Sequence, residues 1–332
     1  MIITAVECKD DFDLFQVFLD LPKSLYKTDF ATNTPSITYL KSCFLFFKNN
    51  VPVGRYALYD NPHLLFNGKK SMCIGSYEAI DDKELVNFIR MHIREQMKLN
   101  ETKVLIGPME GSTMNNYRFS TKETNKNFFL EPYHPIYYNK HFKSYGFQSI
   151  AEYYSNIISI EEFEQDRIDS FESDLERKGL KFRKIDMDNF SEDLDGFIEL
   201  VVEGFLQNFL YTPINSKLLK EKYLAMEHLI DKELLCAIED KSGKPQVMFF
   251  GYKDLYDPKG ETVVFKTVVK RPGFEMKGLA RYLDEKFIQN ALEQGYTKMV
   301  HAFMYFDNIT KKLSNNRKSE ELKEYALYAL EI

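Results

Sequence analysis

The 332-residue chain has no tryptophan and only four cysteines, Cys8, Cys43, Cys73 and Cys236. They form no Cys-x-x-Cys pair, and no histidine stands at a zinc-like spacing from them. A zinc site or a disulfide framework is therefore not expected, and no metal is assigned. Long apolar runs are missing too: nothing approaches the roughly 20 residues of a membrane-spanning helix. The segment Met1 to Phe12 carries early acids where a secretory leader would have an apolar core. There is no basic surplus either, with 44 Lys and Arg against 50 Asp and Glu, a net of −6. Nucleic acid, whose phosphates need neutralising, is not an expected partner. These absences point to a cytoplasmic protein that binds neither membrane nor nucleic acid.

What is present is a globular composition, 44% hydrophobic and 28% charged, with 28 Phe and 21 Tyr. The length suits about two domains. Strand-like segments Ile2 to Val6, Cys43 to Lys48, Val53 to Tyr59 and Ser71 to Tyr77 lead to Asp81, read as a helix N-cap. The helix that follows has apolar residues at Leu85, Val86, Ile89, Ile93 and Met97, close to a 3.6 period. Lys103 to Gly107 reads as a buried strand.

The second half repeats that order. Leu234 to Glu239, Val247 to Tyr252 and Glu261 to Val269 are strands; Leu279, Leu283, Phe287, Ala291 and Leu292 mark a helix; Lys298 to Met304 is a strand. Thr297 follows Thr102 by the same interval that separates Met304 from Met109. We therefore expect an α/β chain with mixed sheets, in two copies of one domain: 1–159, a linker helix at 160–179, and 180–332.

The segment Val263 to Leu283 carries the chemistry. A strand ends in Lys270-Arg271-Pro272-Gly273, and a helix starts near Lys277-Gly278-Leu279-Ala280. The first N–H groups of a helix lack intrahelical partners, and small residues let a ligand approach them. With the helix dipole and Lys270, Arg271, Lys277 and Arg281 nearby, a pyrophosphate site is expected. In the first half the corresponding stretch, Glu78 to Glu84, has no glycine and four carboxylates, which repel a pyrophosphate.

This layout resembles the GNAT (GCN5-related N-acetyltransferase) superfamily, whose pyrophosphate turn reads Gln/Arg-x-x-Gly-x-Gly/Ala. Glu275-Met276-Lys277-Gly278-Leu279-Ala280 matches it, with Glu275 in place of Gln or Arg. The first half, through Gly107 to Ser112 and Glu131 to Phe147, looks like bacterial tandem GNAT-like proteins. The resemblance implies two tandem GNAT-like domains, the first degenerate, and acetyl-CoA or another acyl-CoA as cosubstrate. It assigns cofactor contacts to Val268, Val269, Lys270, Arg271, Lys277, Gly278, Leu279, Ala280 and Asn308, with a Val268 or Val269 N–H polarising the thioester carbonyl. It also implies a closing strand for the second half at Glu324 to Ile332.

By the same resemblance the reaction is direct acyl transfer to a small-molecule or peptide amine. Candidate proton acceptors are Glu203, in an expected helix from Phe197 to Phe209, and Asp307, with His301 behind them. No Tyr occupies the region after Asn308, which leaves Tyr305 as the acid for the thiolate, with Tyr325 behind it. Asn208, Tyr211, Thr212 and Asn215 line an expected acceptor pocket; Tyr138, Ser112, Asn115 and Asn116 would add a face from the first half. Two alternatives stand beside this reading: a non-catalytic CoA or small-ligand binder on the same scaffold, and a Fem-type aminoacyl transferase.

Overall fold

The computed structural model describes residues 2–26, 34–122, 127–305 and 319–332. Its first half runs β1 (Ile3–Glu7), α1 (Phe12–Leu25), β2 (Leu40–Lys48), β3 (Val51–Tyr59), a small hairpin β4 (Leu65–Phe66) and β5 (Lys69–Lys70), and β6 (Met72–Ala79). It continues with α2 (Lys83–Leu99), β7 (Val104–Gly107), β8 (Phe119–Ser120), α3 (Tyr138–Tyr145) and β9 (Gln148–Ser159). Then come α4 (Gln165–Arg177), β10 (Lys181–Lys184), α5 (Phe190–Gly204), α6 (Ser216–Ala225), β11 (Leu235–Glu239), β12 (Pro245–Lys253), β13 (Thr262–Lys270), α7 (Leu279–Glu293), β14 (Lys298–Tyr305) and β15 (Glu320–Glu331).

One thirteen-stranded sheet joins the halves, in the order β1-β2-β3-β6-β7-β15-β9-β14-β13-β12-β11-β10, with β8 on β15. The order is the same read from either end: each repeat contributes four antiparallel strands and a parallel pair, β6–β7 or β13–β14. The closing strands are exchanged. β9 ends the first repeat but pairs with β14 of the second, and β15 ends the chain but pairs with β7 of the first. The expectation that the C-terminal strand closes the second half is thereby corrected. β9 and β15 lie side by side and antiparallel at the centre, so each repeat borrows an edge from the other.

Alternation along the strands sends side chains into cores on both faces. On β15, Ala326, Tyr328 and Leu330 pack with α2 and α3, while Tyr325, Leu327 and Ala329 join Phe18 and Leu21 of α1 on the other face. In the second half Val263, Phe265 and Met299 face α4 and α7; Val264, Val300 and Ala302 face α5 and α6. The stretch expected as a linker helix is part of this core: Phe171 of α4 stacks on Tyr282 of α7 with centroids 4.3 Å apart. The N-cap of α2 is Asp82 rather than Asp81, accepting from the Leu85 N–H at 2.9 Å.

Candidate active site

The opening in the second half follows from strand register. β13 and β14 pair only from Thr262–Lys298 to Phe265–His301. At that point β13 carries an extra residue, Lys266, relative to β12, where Phe250 opposes Thr267 and Gly251 opposes Phe265. A bulge bends its strand and increases the local twist, which takes Lys266 to Lys270 away from β14. Val268, in this central strand, is left 36% exposed. The first half repeats the device: β6 and β7 pair at Met72–Leu105 and Cys73–Ile106 only, and β6 bulges against β3 between Ala57 and Arg55.

The helix starts beyond the two openings differ. At α7 the N-cap is Gly278, with φ of 85° and no side-chain cap. An added Cβ there would meet open space, so left-handed backbone, not crowding, is what calls for glycine. Leu279 is buried and Ala280 partly so, while Lys277 is exposed. Lys277 has no acidic partner among the described residues. At α2, Asp82 occupies the helix end and is itself ion-paired to Lys48 at 2.6 Å. Glu78 and Ala79, read from sequence as part of that helix start, belong to β6. Glu78 is buried beneath Tyr26 and Tyr138, whose hydroxyls both donate to it; burial pushes its carboxyl up to about 8.

The other cations assigned to the pyrophosphate are internally committed. Lys270 pairs with Glu275 and donates to the Phe274 carbonyl at 3.1 Å; this neutralises the carboxylate that departs from the family turn. Arg271 is buried, bonds the Pro245 carbonyl at 2.7 Å, and is ion-paired to Glu203, with Glu199 at 3.4 Å. Arg281 reaches Glu164 and Glu285, both at 2.8 Å. Val269 lies against Gly204 at the end of α5, where any side chain would strike it and the Lys270 carbonyl.

The candidate chemical residues are dispersed. Tyr305 ends β14, with its ring on Phe209 at 6.2 Å and on Tyr153 at 5.5 Å. His301 points to the α7 side and meets Asp284 at 3.1 Å, both buried. Tyr325 is buried and donates to Glu131 at 2.9 Å. Asp307 and Asn308 lie outside the described residues. Of the acceptor candidates, Asn215 caps α6, accepting from Lys217 and Leu218. The Tyr211 hydroxyl donates to the Val202 carbonyl at 3.2 Å, and Asn208 is exposed in the turn after α5. Thr212 is buried and accepts from Asn61 of the first half. Ser112, Asn115 and Asn116 hold their own loop together around Glu110. Tyr138 is not brought to the second half; it sits in the α2–α3 core, over β6.

Sequence reading passed over Lys266, Lys222 and Arg118, which gather on the α5–α6 side of the opening. The available signal was a single lysine inside Val263-Val264-Phe265-Lys266-Thr267-Val268-Val269, an otherwise apolar strand. Among the described residues there is no group of three or more His, Cys, Asp or Glu arranged to hold a metal ion, and no helix long and apolar enough to cross a membrane.

Neither a protein-family model nor a curated protein sequence matches the chain. Solved structures do. A fungal GCN5-related glucosamine N-acetyltransferase region within a multi-domain GH3 β-N-acetylglucosaminidase superposes with a TM-score of 0.61 at 11% identity, over 99% of this chain and 38% of that one. This chain thus spans well under half of the fungal protein. A tandem GNAT protein from the clavulanic acid biosynthesis pathway gives 0.55 at 10% identity, over 99% and 98% of the two chains. A GCN5-related N-acetyltransferase from Anabaena variabilis gives 0.53 at 10% identity, over 99% and 72%.

Proposed function

The chain has the GNAT fold in two tandem copies, and on that premise we propose that it is an acyl-CoA-dependent N-acyltransferase, with acetyl-CoA as the donor. The observation that carries the reading is the opening between β13 and β14, set beside the uncapped, glycine-led start of α7. The residues present fit the cosubstrate. The α7 N–H groups at Leu279 and Ala280, with Lys277 beside them, suit a pyrophosphate, and the half-exposed Val268 suits the apolar stretch of a pantetheine arm. Bound acyl-CoA would supply an activated thioester.

The chain's part is then positioning and charge. A backbone N–H at Val268 or Val269 would polarise the acyl carbonyl. The α5–α6 side holds the amine in line, which is where most of the acceleration in such a transfer arises. Tyr305, stacked on Phe209, is the proposed proton donor to the departing thiolate. Glu203 is taken up by its ion pair with Arg271. We therefore assign it first to anchoring Arg271 under α5, with the amine's proton leaving through water.

A non-catalytic binder on the same scaffold is favoured by one observation: Lys270, Arg271 and Arg281 are all tied to carboxylates. Calorimetric titration with acetyl-CoA, followed by thiol release over a panel of amines, separates the two. Binding with turnover on some amine is expected. Binding without turnover on any supports the second reading, and no binding overturns both.

A further inference from the structure

Lys266 is the extra residue of the β13 bulge, one position past the last β13–β14 pair. Its ammonium lies 5.8 Å from the Tyr252 ring centroid, and Tyr252 belongs to the core under α5 and α6. The side chain thus projects to the face opposite α7. It remains exposed to solvent, outside the packed interior.

Two further cations converge there from separate elements. Lys222 of α6, also exposed, donates to the Met114 carbonyl at 3.3 Å. Arg118, from the first repeat, is enclosed by aromatic rings, with centroids of Phe303, Tyr117 and Tyr153 at 3.9, 4.1 and 4.7 Å. None of the three has an acidic side chain in ion-pair contact among the described residues. Surrounding protein and then Lys222 and Arg118 bring the Lys266 ammonium down to about 8. Lys222 is lowered by the same enclosure, against the pull of Glu110, which is itself buried and held by Ser36 and Ser76.

The chain has an acid excess, and elsewhere near the opening Lys270, Arg271 and Arg281 each meet a carboxylate, whereas Lys277 does not. Three like charges brought together from a strand, a helix and a loop of the other repeat raise the local potential and favour an anion. The expected pyrophosphate position is on the α7 face, so an anion on this face belongs to the acceptor. We infer that the amine acceptor carries a carboxylate or phosphate group, which seats between Lys266 and Lys222 beside the caged Arg118. This rests on the acyl-transfer reading for the word acceptor, but the anion site stands on its own geometry.

The test is calorimetric titration of the full chain with matched probes: phosphoethanolamine against ethanolamine, and β-alanine against β-alaninamide. At least one anionic probe is expected to bind tenfold or more tightly than its uncharged-end counterpart. Lys266→Met with Lys222→Met should abolish that preference and leave acetyl-CoA affinity within twofold, and Lys266→Arg should retain it. A preference confined to one pair assigns the group as phosphate or carboxylate. Anionic probes binding no more tightly than their counterparts, or a preference that survives the double variant, overturns the inference. Anion preference without acetyl-CoA binding would instead remove the acyl-transfer reading and leave the site.

Discussion

The Tyr138 hydroxyl accepts a hydrogen bond from the backbone N–H of Ala79 at 3.1 Å. The Ala79 carbonyl in turn accepts from the Tyr137 hydroxyl at 3.0 Å. Past the point where β6 leaves β7, strand groups need partners, and here Tyr138 of α3 and Tyr137 just before it provide them from side chains. No side-chain hydrogen bond of this kind reaches Val268 or Val269 among the described residues. The two openings are thus alike in backbone and unlike in filling.

The first expected outcome is therefore one acetyl-CoA per chain. The first repeat has its strand edge closed by Tyr137 and Tyr138 and its helix start occupied by Asp82 and Lys48. Calorimetry should return a stoichiometry near one, unchanged by Asp82→Asn. Two equivalent sites would refute the assignment of unequal roles.

Charge at the α7 start sets the next expectation. Lys277→Glu places a carboxylate beside uncapped N–H groups, in competition with a pyrophosphate. A loss of tenfold or more in acetyl-CoA affinity is expected, about 1.4 kcal/mol. Glu275→Gln should do the reverse, because it frees Lys270 from its ion pair; a gain of a few fold is expected. Unchanged affinity in both variants would count against this helix start as the site.

The repeat order was legible because each strand and helix announces itself by a local period: α2 buries Leu85, Ile89, Ile93 and Met97 as the spacing implied. The helix-start glycine was legible for the same reason, since Gly278 acts where it stands. The exchange of β9 and β15 was not. Both are twelve residues long, mix polar and apolar residues, and pair antiparallel with their neighbours, and nothing local says which repeat's β-strand each will meet. Nor could sequence tell that Arg271 turns to Glu203, or that Lys266, Lys222 and Arg118 converge, because these are facts of distance between remote segments. Glu78 was misassigned for a simpler reason: β6 runs on to Ala79, so a carboxylate near a helix in sequence lies in a strand under Tyr138.

Acid should destabilise the fold through His134. Its Nε2 accepts the Ser120 backbone N–H at 2.5 Å, which requires the neutral ring, and burial with Lys323 brings its pKa down to about 3. The unfolded chain takes up this proton near 6.5, so between 6.5 and 3 it binds more protons than the native state. Stability then falls as pH drops through that window, by at most about 1.4 kcal/mol per pH unit. His134→Asn keeps an acceptor but cannot titrate. Urea unfolding at pH 7, 6 and 5 should give a shallower slope for the variant; parallel slopes would assign the acid sensitivity elsewhere.

The exchanged strand makes the sharpest demand. β15 fills the place between β7 and β9, pairing with both, and contributes Ala326, Tyr328 and Leu330 to one core and Tyr325, Leu327 and Ala329 to the other. A chain ending at residue 318 would leave β7 and β9 with unpaired edges and two cores open, and exposed edges of that kind aggregate. Its loss should damage the first repeat, which is remote in sequence, more than the second. Hydrogen exchange on the truncated chain should show protection lost in β7, β9 and α3 but kept in β11 to β13. A synthetic peptide of residues 319–332 added during refolding should restore it, since the strand is held by pairing and burial and not by its covalent link to β14. Protection lost first in the second repeat would mean that β15 closes the half it follows, and the exchange would be wrong.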